Sequence, residues 1–359
     1  VSLVRKTITT ATEWHTVLAS LPLAHPLQSW VWGQFKSRWG WTMEAVAYQE
    51  NAHGPTVAAA LILKRKIPYT PFSLWYTPKG PVVDYENSTL RTAILADLQS
   101  YARRSGAIAL KIDPDVAQAE GSDEIEPLPL GTNFISELKT AGWQLSNEQI
   151  QFRNTVFIDL DMAESEIMKK WKQKTRYNTR LAVKKGVTVR AGTADDFPLI
   201  YQLYAETAER DNFLIRPEAY YLDIWRAFYD AGMCLPHIAE YEGEPLAAVI
   251  TVTYGDLALY MYGASNGKER NRMPTYQLQW EAMKWAKSQG CTIYDMWGAP
   301  DKFNEDDRMW GVWRFKKGYQ GRVAHHIGAW DYPVRPFLYR LYTELLPRYV
   351  AFLRRNNDE

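Results

Sequence analysis

Tyr276-Gln-Leu-Gln-Trp-Glu-Ala-Met-Lys-Trp-Ala-Lys-Ser-Gln-Gly-Cys-Thr-Ile-Tyr-Asp-Met-Trp297 reads as helix, stop and strand. Tyr276, Trp280 and Met283 recur at i, i+4 and i+7, the spacing of one helical face. Gly290 closes the run, because a residue without Cβ readily takes the left-handed conformation that ends a helix. A strand over 293–297 follows. Upstream, 236–241 and 246–253 read as strands joined by a Glu-Gly-Glu turn, and 257–262 as a third strand. The first half carries the same order. After helical segments at 11–20 and 27–38, strands at 43–49, 56–64 and 72–76 precede an amphipathic helix at 90–105, Gly106 and a strand at 108–112. Gly290 and Gly106 lie 184 residues apart, and at that offset Tyr101-Ala-Arg103 faces Trp285-Ala-Lys287. Order, spacing and terminators agree without a gap. The expectation is an α/β chain of mixed sheets in which one β-β-α-β unit occurs twice.

A chain of 359 residues also favours two domains. The expected boundary falls at 151–155, where Thr155-Val-Phe-Ile-Asp-Leu160 opens a new strand. Domain 1 then spans 1–152 and is completed by a C-terminal helical segment within 325–359; domain 2 spans 153–324. Segment 116–133 is acidic and rich in Pro and Gly, so it reads as a surface loop. No run of about 18 apolar residues predicts a membrane span. The start lacks the apolar core of a secretory signal, and it opens on Val1, so the numbering is expected to begin inside the gene product. Cys234 and Cys291 have no Cys or His at ligand spacing, which argues against a disulfide framework, a zinc site or any other metal. Cytoplasm is the default compartment and a monomer the expected state. With a net charge of +1, any nucleic-acid contact must use a local patch. An aromatic content of 14% favours grooves for a large, partly polar ligand.

A β-β-α-β unit with its helix between the last two strands resembles the GNAT acetyltransferase fold. Such enzymes hold the coenzyme A pyrophosphate on bare N–H groups of a Gly-rich loop at that helix's N-terminus. Here the loop reads Lys268-Glu-Arg-Asn-Arg-Met-Pro-Thr275, without glycine and with a proline that removes a donor. The corresponding Asp84-Tyr-Glu-Asn-Ser-Thr89 begins acidic. Neither half is expected to hold coenzyme A in that way.

Several strings then share one order: Gln28-Ser-Trp-Val-Trp-Gly-Gln-Phe-Lys36, Pro78-Lys-Gly-Pro-Val-Val83, Leu110-Lys-Ile-Asp-Pro114, Lys174-Thr-Arg-Tyr-Asn178, Arg216 with Tyr220, Tyr262-Gly-Ala-Ser265 and Arg314-Phe-Lys-Lys-Gly318. With these the chain resembles, over nearly its whole length, the Fem family (FemA, FemB, FemX) of aminoacyl-tRNA-dependent peptidyltransferases that build peptidoglycan interpeptide bridges. The resemblance implies two tandem GNAT-like domains. No sustained heptads predict a coiled-coil arm, so the compact FemX-like type is expected. It also implies transfer of an amino acid from aminoacyl-tRNA to the side-chain amine of the stem peptide. The acceptor is UDP-MurNAc-pentapeptide or its lipid-linked form, lipid II, and diphosphate contacts suit both. No cofactor is implied beyond aminoacyl-tRNA as co-substrate.

The site residues have two readings each. Lys36 ends an aromatic helix and by itself is a solvated lysine; the resemblance places it on the diphosphate. Arg216 precedes a helix-opening proline, and Tyr220 lies one turn on, which makes either an anion grip or a surface ion pair with Glu218 or Asp211. The resemblance assigns both to the nucleotide-sugar phosphates. Asp113 can orient or deprotonate an incoming amine, or cap a turn; the resemblance puts a carboxylate near the acceptor amine and leaves Asp113 and Asp115 as alternatives. Tyr262 is core or substrate contact, and alternation puts it on the same face as Tyr260.

The strip Met309-Trp-Gly-Val-Trp-Arg-Phe-Lys-Lys-Gly-Tyr-Gln-Gly321 sets Arg314, Lys316 and Lys317 among aromatics. Lys316 is either solvated or poised to stabilise an oxyanion or grip the terminal phosphate or ribose of a tRNA, with Arg314 and Phe315 on the opposite face if the strip is a strand. The resemblance places Phe315-Lys316 at the reaction centre. Lys174 and Arg176 belong to a basic helix interleaved with Trp171 and Tyr177, a solvated face or a tRNA contact; Lys317 is a third candidate for tRNA. The last segment, 336–355, is Arg- and Tyr-rich and reads equally as packing or as peripheral membrane contact. Two rival readings are a GNAT-type N-acetyltransferase on a small amine and a non-catalytic Fem-like binding protein.

Overall fold

The computed structural model describes residues 3–22 and 24–345. The chain divides into two compact units. The first holds Val1–Gln118, Leu128–Gln151 and His326–Glu359; the second holds Ala119–Pro127 and Phe152–His325.

In the first unit, Val4–Ile8, Thr42–Gln49, Thr56–Lys66, Ser73–Thr77, Ala107–Ile112, Trp330–Tyr332 and Gln144–Leu145 follow one another across a sheet, with Val82–Val83 beside Thr56–Lys66. Neighbours are antiparallel except Ser73–Thr77 and Ala107–Ile112, which run parallel. A parallel pair needs a crossover, and the helix Ser88–Arg104 supplies it. The Asn87 side chain accepts the Leu90 N–H at 3.0 Å to open that helix, and Gly106 at φ +76 closes it. Ile94, Leu95 and Leu98 pack on Trp75, Leu110 and Trp330 in one core.

The second unit repeats the arrangement. Its sheet runs Thr188–Ala191, Cys234–Tyr241, Glu244–Tyr254, Leu257–Ser265, Ile293–Ala299, Asn154–Asp159 and Arg322–His326, and ends on Ala117–Glu120 and Glu126–Pro127. Leu257–Ser265 and Ile293–Ala299 form its parallel pair, and the helix Pro274–Ser288 crosses between them. Gly290 at φ +86 ends that helix. Leu278, Ala282, Met283 and Ala286 pack on Val249, Tyr294 and Met296 in a separate core. The repeat read from helix and glycine spacing is therefore a repeat of sheet topology.

Three expectations are corrected. Segment 116–133 is not a bare loop: Ala117–Glu120 and Glu126–Pro127 form a hairpin, and Gly121 donates to the Val323 carbonyl at 3.0 Å. Its acidic composition hid a strand whose partner lies some two hundred residues downstream. Trp310–Lys316 is a helix, not a strand. The stretch after 325 opens on strand Trp330–Tyr332 before a short helix, Pro336–Arg340, and a π-helical turn, Leu341–Leu345. The rest of the helix expected over 336–355 lies outside the described residues.

Candidate functional site

The decisive local feature is a β-bulge in Leu257–Ser265. Ile250 pairs with Tyr262 but the next residue, Thr251, pairs with Tyr260, so Met261 is the extra residue. The bulge breaks alternation. Tyr260 and Tyr262 therefore do not share a face, contrary to the strict-alternation reading. Tyr262 packs edge-on against Tyr204, Tyr221 and Trp225, with ring centroids 6.1, 5.8 and 5.6 Å away. Those residues lie on the helices Phe197–Arg210 and Glu218–Asp230. Tyr260 instead turns to the helix Pro274–Ser288, beside Gln279. Its ring lies over Gly263, where a Cβ would overlap the Tyr260 hydroxyl.

Tyr260 lines an open cavity of about 630 Å³ within the second unit. Tyr276 and Phe315 add aromatic wall, their centroids 5.1 Å apart. Met273, Pro274 and Thr275 bring the start of the helix Pro274–Ser288 to the cavity. Met273 has a left-handed backbone, φ 58, and no side chain caps this N-terminus. The partial positive charge of this helix start lies at the cavity, although Pro274 carries no N–H and the Tyr276 N–H donates to the Met273 carbonyl at 3.1 Å. Lys268, Arg270 and Arg308 stand exposed on the rim, and Arg210 joins them, held by Asp211 and by the Ser265 carbonyl at 2.6 Å. The site combines aromatic faces with cations and suits a planar, anionic ligand. Composition gives no sign of Arg270 and Arg308; Arg270 lies inside the glycine-free loop and Arg308 directly before the aromatic strip.

Phe315 lines this cavity and Lys316 does not. Helical geometry turns Lys316 inward, where it is 4% exposed. Its ammonium donates to the carbonyls of Trp297 (3.1 Å) and Gly298 (2.6 Å) and sits 5.7 Å from the Tyr260 ring centroid. Burial pushes its pKa down to about 7, opposed by Asp295. Trp297 has φ +60, a strained conformation for a residue with a side chain. The strain is held from both sides: the Trp297 N–H donates to Asp295 Oδ1 at 2.7 Å, and Lys316 takes its carbonyl. Thr155 donates to the same aspartate.

The other basic residues of the second unit divide by partner. Lys317 pairs with Asp123 at 2.8 Å. Arg176 donates to the carbonyls of Lys169 (3.1 Å) and Trp171, closing the end of the helix Glu164–Lys170. Lys174 is exposed on the helix Gln173–Lys184, on one face with Tyr177, Arg180 and Lys184. Arg216 is exposed, with its guanidinium 4.8 Å from the Tyr220 ring centroid, and Tyr220 is buried. Burial raises the Tyr220 hydroxyl pKa, while Arg216 opposes the rise.

Lys36 and Asp113 belong to the first unit. Lys36 is half-buried, its ammonium 5.6 Å from the ring centroids of Trp32 and Trp41. Asp113 is 3% exposed and accepts the Tyr76 hydroxyl at 3.2 Å. Burial pushes its carboxyl pKa up, and Lys79 opposes that. Asp115 differs. Burial works against its charge, yet Lys79 at 2.9 Å and His326 at 3.1 Å hold it well below the usual carboxylate range. Nothing local in the sequence marks this ion pair, because Lys79 and Asp115 lie 36 residues apart.

Two sheets, each with one parallel strand pair bridged by a helix, define a tandem GNAT-like fold. A family model for the FemAB family matches residues 9–236 and 232–346, and the chain belongs to that family. It is 27% identical to the lipid II:glycine glycyltransferase of Staphylococcus aureus (strain USA300), over 94% of each chain. Among solved structures it is similar to FemX, with a TM-score of 0.82 and 24% identity over 94% of this chain and 99% of that one. A tandem GNAT protein from the clavulanic acid biosynthesis pathway shares the fold at a TM-score of 0.55 and 12% identity, covering 93% and 99%. Among the described residues, no helix is long and apolar enough to cross a membrane, and no group of three or more His, Cys, Asp or Glu is placed to hold a metal.

Proposed function

We propose that this chain transfers an amino acid from an aminoacyl-tRNA to the side-chain amine of a peptidoglycan stem peptide. The coarser activity, a transferase of peptidoglycan bridge formation, follows from family membership and from likeness to the glycyltransferase. The observation that carries the finer reading is the cavity of the second unit. Its aromatic walls, rim cations and uncapped helix start favour the 3′ end of an RNA, which offers a flat base and phosphates together.

In this reading the amine attacks the ester carbonyl, the C–N bond forms and the ester C–O bond breaks. The ribose oxygen leaves and takes up the proton that the amine loses. An ester is already activated, so the protein supplies proximity and charge stabilisation. Tyr260 and Phe315 confine the donor. Lys316 is assigned a positioning role, holding the Trp297–Gly298 carbonyls behind Tyr260. Asp113 orients the amine. Lys36, Arg216, Tyr220 and Tyr262 are assigned to the acceptor. Lys174 is assigned to tRNA; Arg176 and Lys317 are already engaged by their own neighbours. The acceptor is UDP-linked or lipid-linked, no cofactor is needed, and the setting is cytoplasmic, where charged tRNA is available.

The test mixes charged tRNAs with UDP-muramyl-pentapeptide or its lipid-linked form, with and without ribonuclease. Product that disappears with ribonuclease is expected. Ribonuclease-insensitive product, or none with any tRNA, overturns the proposal. Coenzyme A titrated by calorimetry is the control for the rival N-acetyltransferase, and saturable binding in the same cavity would favour that rival.

A further inference from the structure

One end of the first unit gathers apolar and cationic groups that neither its core nor the proposed reaction uses. The turn between Thr56–Lys66 and Ser73–Thr77 carries Tyr69, which is 107% exposed and held at φ +62. The turn is braced. Ile67 donates to the Phe72 carbonyl at 3.0 Å, Thr70 donates to the Ile67 carbonyl at 3.2 Å, and the Thr70 hydroxyl accepts the Phe72 N–H at 3.2 Å. An aromatic held fully in water on a braced, strained turn contributes nothing to folding.

The segment after Arg335 presents a second set. Phe337 is 78% exposed, Leu341 43% and Tyr342 37%. Its inner side is tied down, with the Tyr339 hydroxyl donating to Asp331 at 3.0 Å and Arg335 to the Ala107 carbonyl. The exposed apolar groups are thus the outer face of an anchored element. The two sets are neighbours. Arg335 lies 5.2 Å from the Phe72 ring centroid, and its N–H reaches the Ile108 carbonyl at 3.0 Å. The end of the helix Ser88–Arg104 joins them, since Ser73 donates to the Gly106 carbonyl at 3.2 Å and Arg103 to the Tyr332 hydroxyl at 2.8 Å.

Cations outnumber acids among the described residues around these apolar tips. Lys66, Arg103, Arg104 and Arg340 are exposed there. Among the described residues of the segment the one acid, Glu344, is paired with Arg340 at 3.0 Å. Exposed aromatic and aliphatic tips ringed by cations match the headgroup boundary of an anionic bilayer. There the apolar groups enter the acyl edge and the cations meet lipid phosphates. An RNA backbone would use the cations and leave Phe337 and Leu341 in water. We propose that this end of the first unit, built from the 67–72 turn, the Arg103–Arg104 helix end and the segment 335–342, docks on an anionic lipid surface.

Flotation of the full chain with vesicles tests it. Strong binding is expected to phosphatidylcholine vesicles that contain phosphatidylglycerol, and weak binding to phosphatidylcholine alone. Lys66→Glu with Arg104→Glu is expected to weaken binding by about fivefold or more per cation. Phe337→Ser with Leu341→Ser, which keeps every charge, is expected to weaken it by at least about tenfold. These positions are exposed, and an unchanged circular dichroism melt confirms folding. No binding to anionic vesicles, or binding that survives the Phe337→Ser/Leu341→Ser change, overturns the proposal. Binding lost only by charge reversal and competed by RNA also overturns it and assigns the patch to RNA. Vesicle binding is read without any transfer reaction, so its failure is distinct from failure of the proposed activity.

Discussion

At the residue scale, Lys316 shows how burial changes a side chain's task. An exposed lysine holds its proton to its ordinary value of 10.5, but here burial lowers the pKa to about 7. Between those values the folded chain binds fewer protons than the unfolded chain, so folding is favoured as pH rises. Lys316→Met removes this dependence. The stability difference between wild type and Lys316→Met is expected to shift by about 2 kcal/mol in favour of wild type between pH 7 and pH 9, read by urea unfolding. Gly263 makes the complementary point about space. A Cβ there overlaps the Tyr260 hydroxyl and ring, so Gly263→Ala must displace Tyr260 from the cavity wall. On the proposed reaction the expected result is a KM for charged tRNA raised by about tenfold, with about 1–3 kcal/mol lost from stability. Tyr260→Phe, which removes only the hydroxyl, is expected to change KM far less. The residue types at this site were legible in the sequence, but their orientations were not. Phe315 and Lys316 were singled out together, yet one lines the cavity and the other lies behind it, because helical geometry at 310–316 replaces the strand that the strip allowed.

At the element scale, the bulge at Met261 and the helix Gln173–Lys184 each sort neighbouring residues into different roles. One extra residue sends Tyr262 to the tyrosine cluster and Tyr260 to the cavity. Alternation in the sequence carries no mark of such a bulge, since it arises from pairing with Glu244–Tyr254. On the helix, Lys174, Arg180 and Lys184 share the outer face with Tyr177, whereas Arg176 closes the preceding helix. Replacing Lys174, Arg180 and Lys184 by Ala is expected to flatten the salt dependence of tRNA binding, lowering its log–log slope by about 2–3. Arg176→Ala is expected to leave that slope unchanged and to cost about 1–3 kcal/mol, because two helix-end carbonyls lose their donor. Filter binding across salt concentrations separates the two classes. The helices themselves were legible at this scale. Ser88–Arg104 and Pro274–Ser288 fall within two residues of their expected limits at either end, because periodicity and a terminating glycine are local signals.

At the scale of the whole molecule, two units with separate cores carry separate ion networks. Lys79, Asp115 and His326 form one in the first unit; Lys316, Asp295 and the Trp297–Gly298 carbonyls form one in the second. Lys79→Met leaves a largely buried carboxylate with His326 as its remaining partner, and the expected loss is about 3 kcal/mol. Asp115 sits below its ordinary pKa when folded, so its contribution is present above the unfolded carboxylate value and fades as pH falls through the folded one. The penalty of Lys79→Met is therefore expected to shrink at strongly acidic pH. The Lys79→Met and Lys316→Met changes share no partner, so their stability losses are expected to add within about 0.5 kcal/mol in urea unfolding of the double variant.

Local signals are enough to specify the tandem β-β-α-β architecture, both crossover helices to within two residues, the absence of a glycine loop and the family. Each of these rests on residues close in the chain, through periodicity, capping and short motifs. Only the tertiary structure decided which face Tyr260 takes, that Lys316 is buried, that 117–127 forms a hairpin in the second sheet, and that Lys79 meets both Asp115 and His326. Each of those depends on a partner far along the chain, and the pairing energy that selects it arises only once the sheets have assembled.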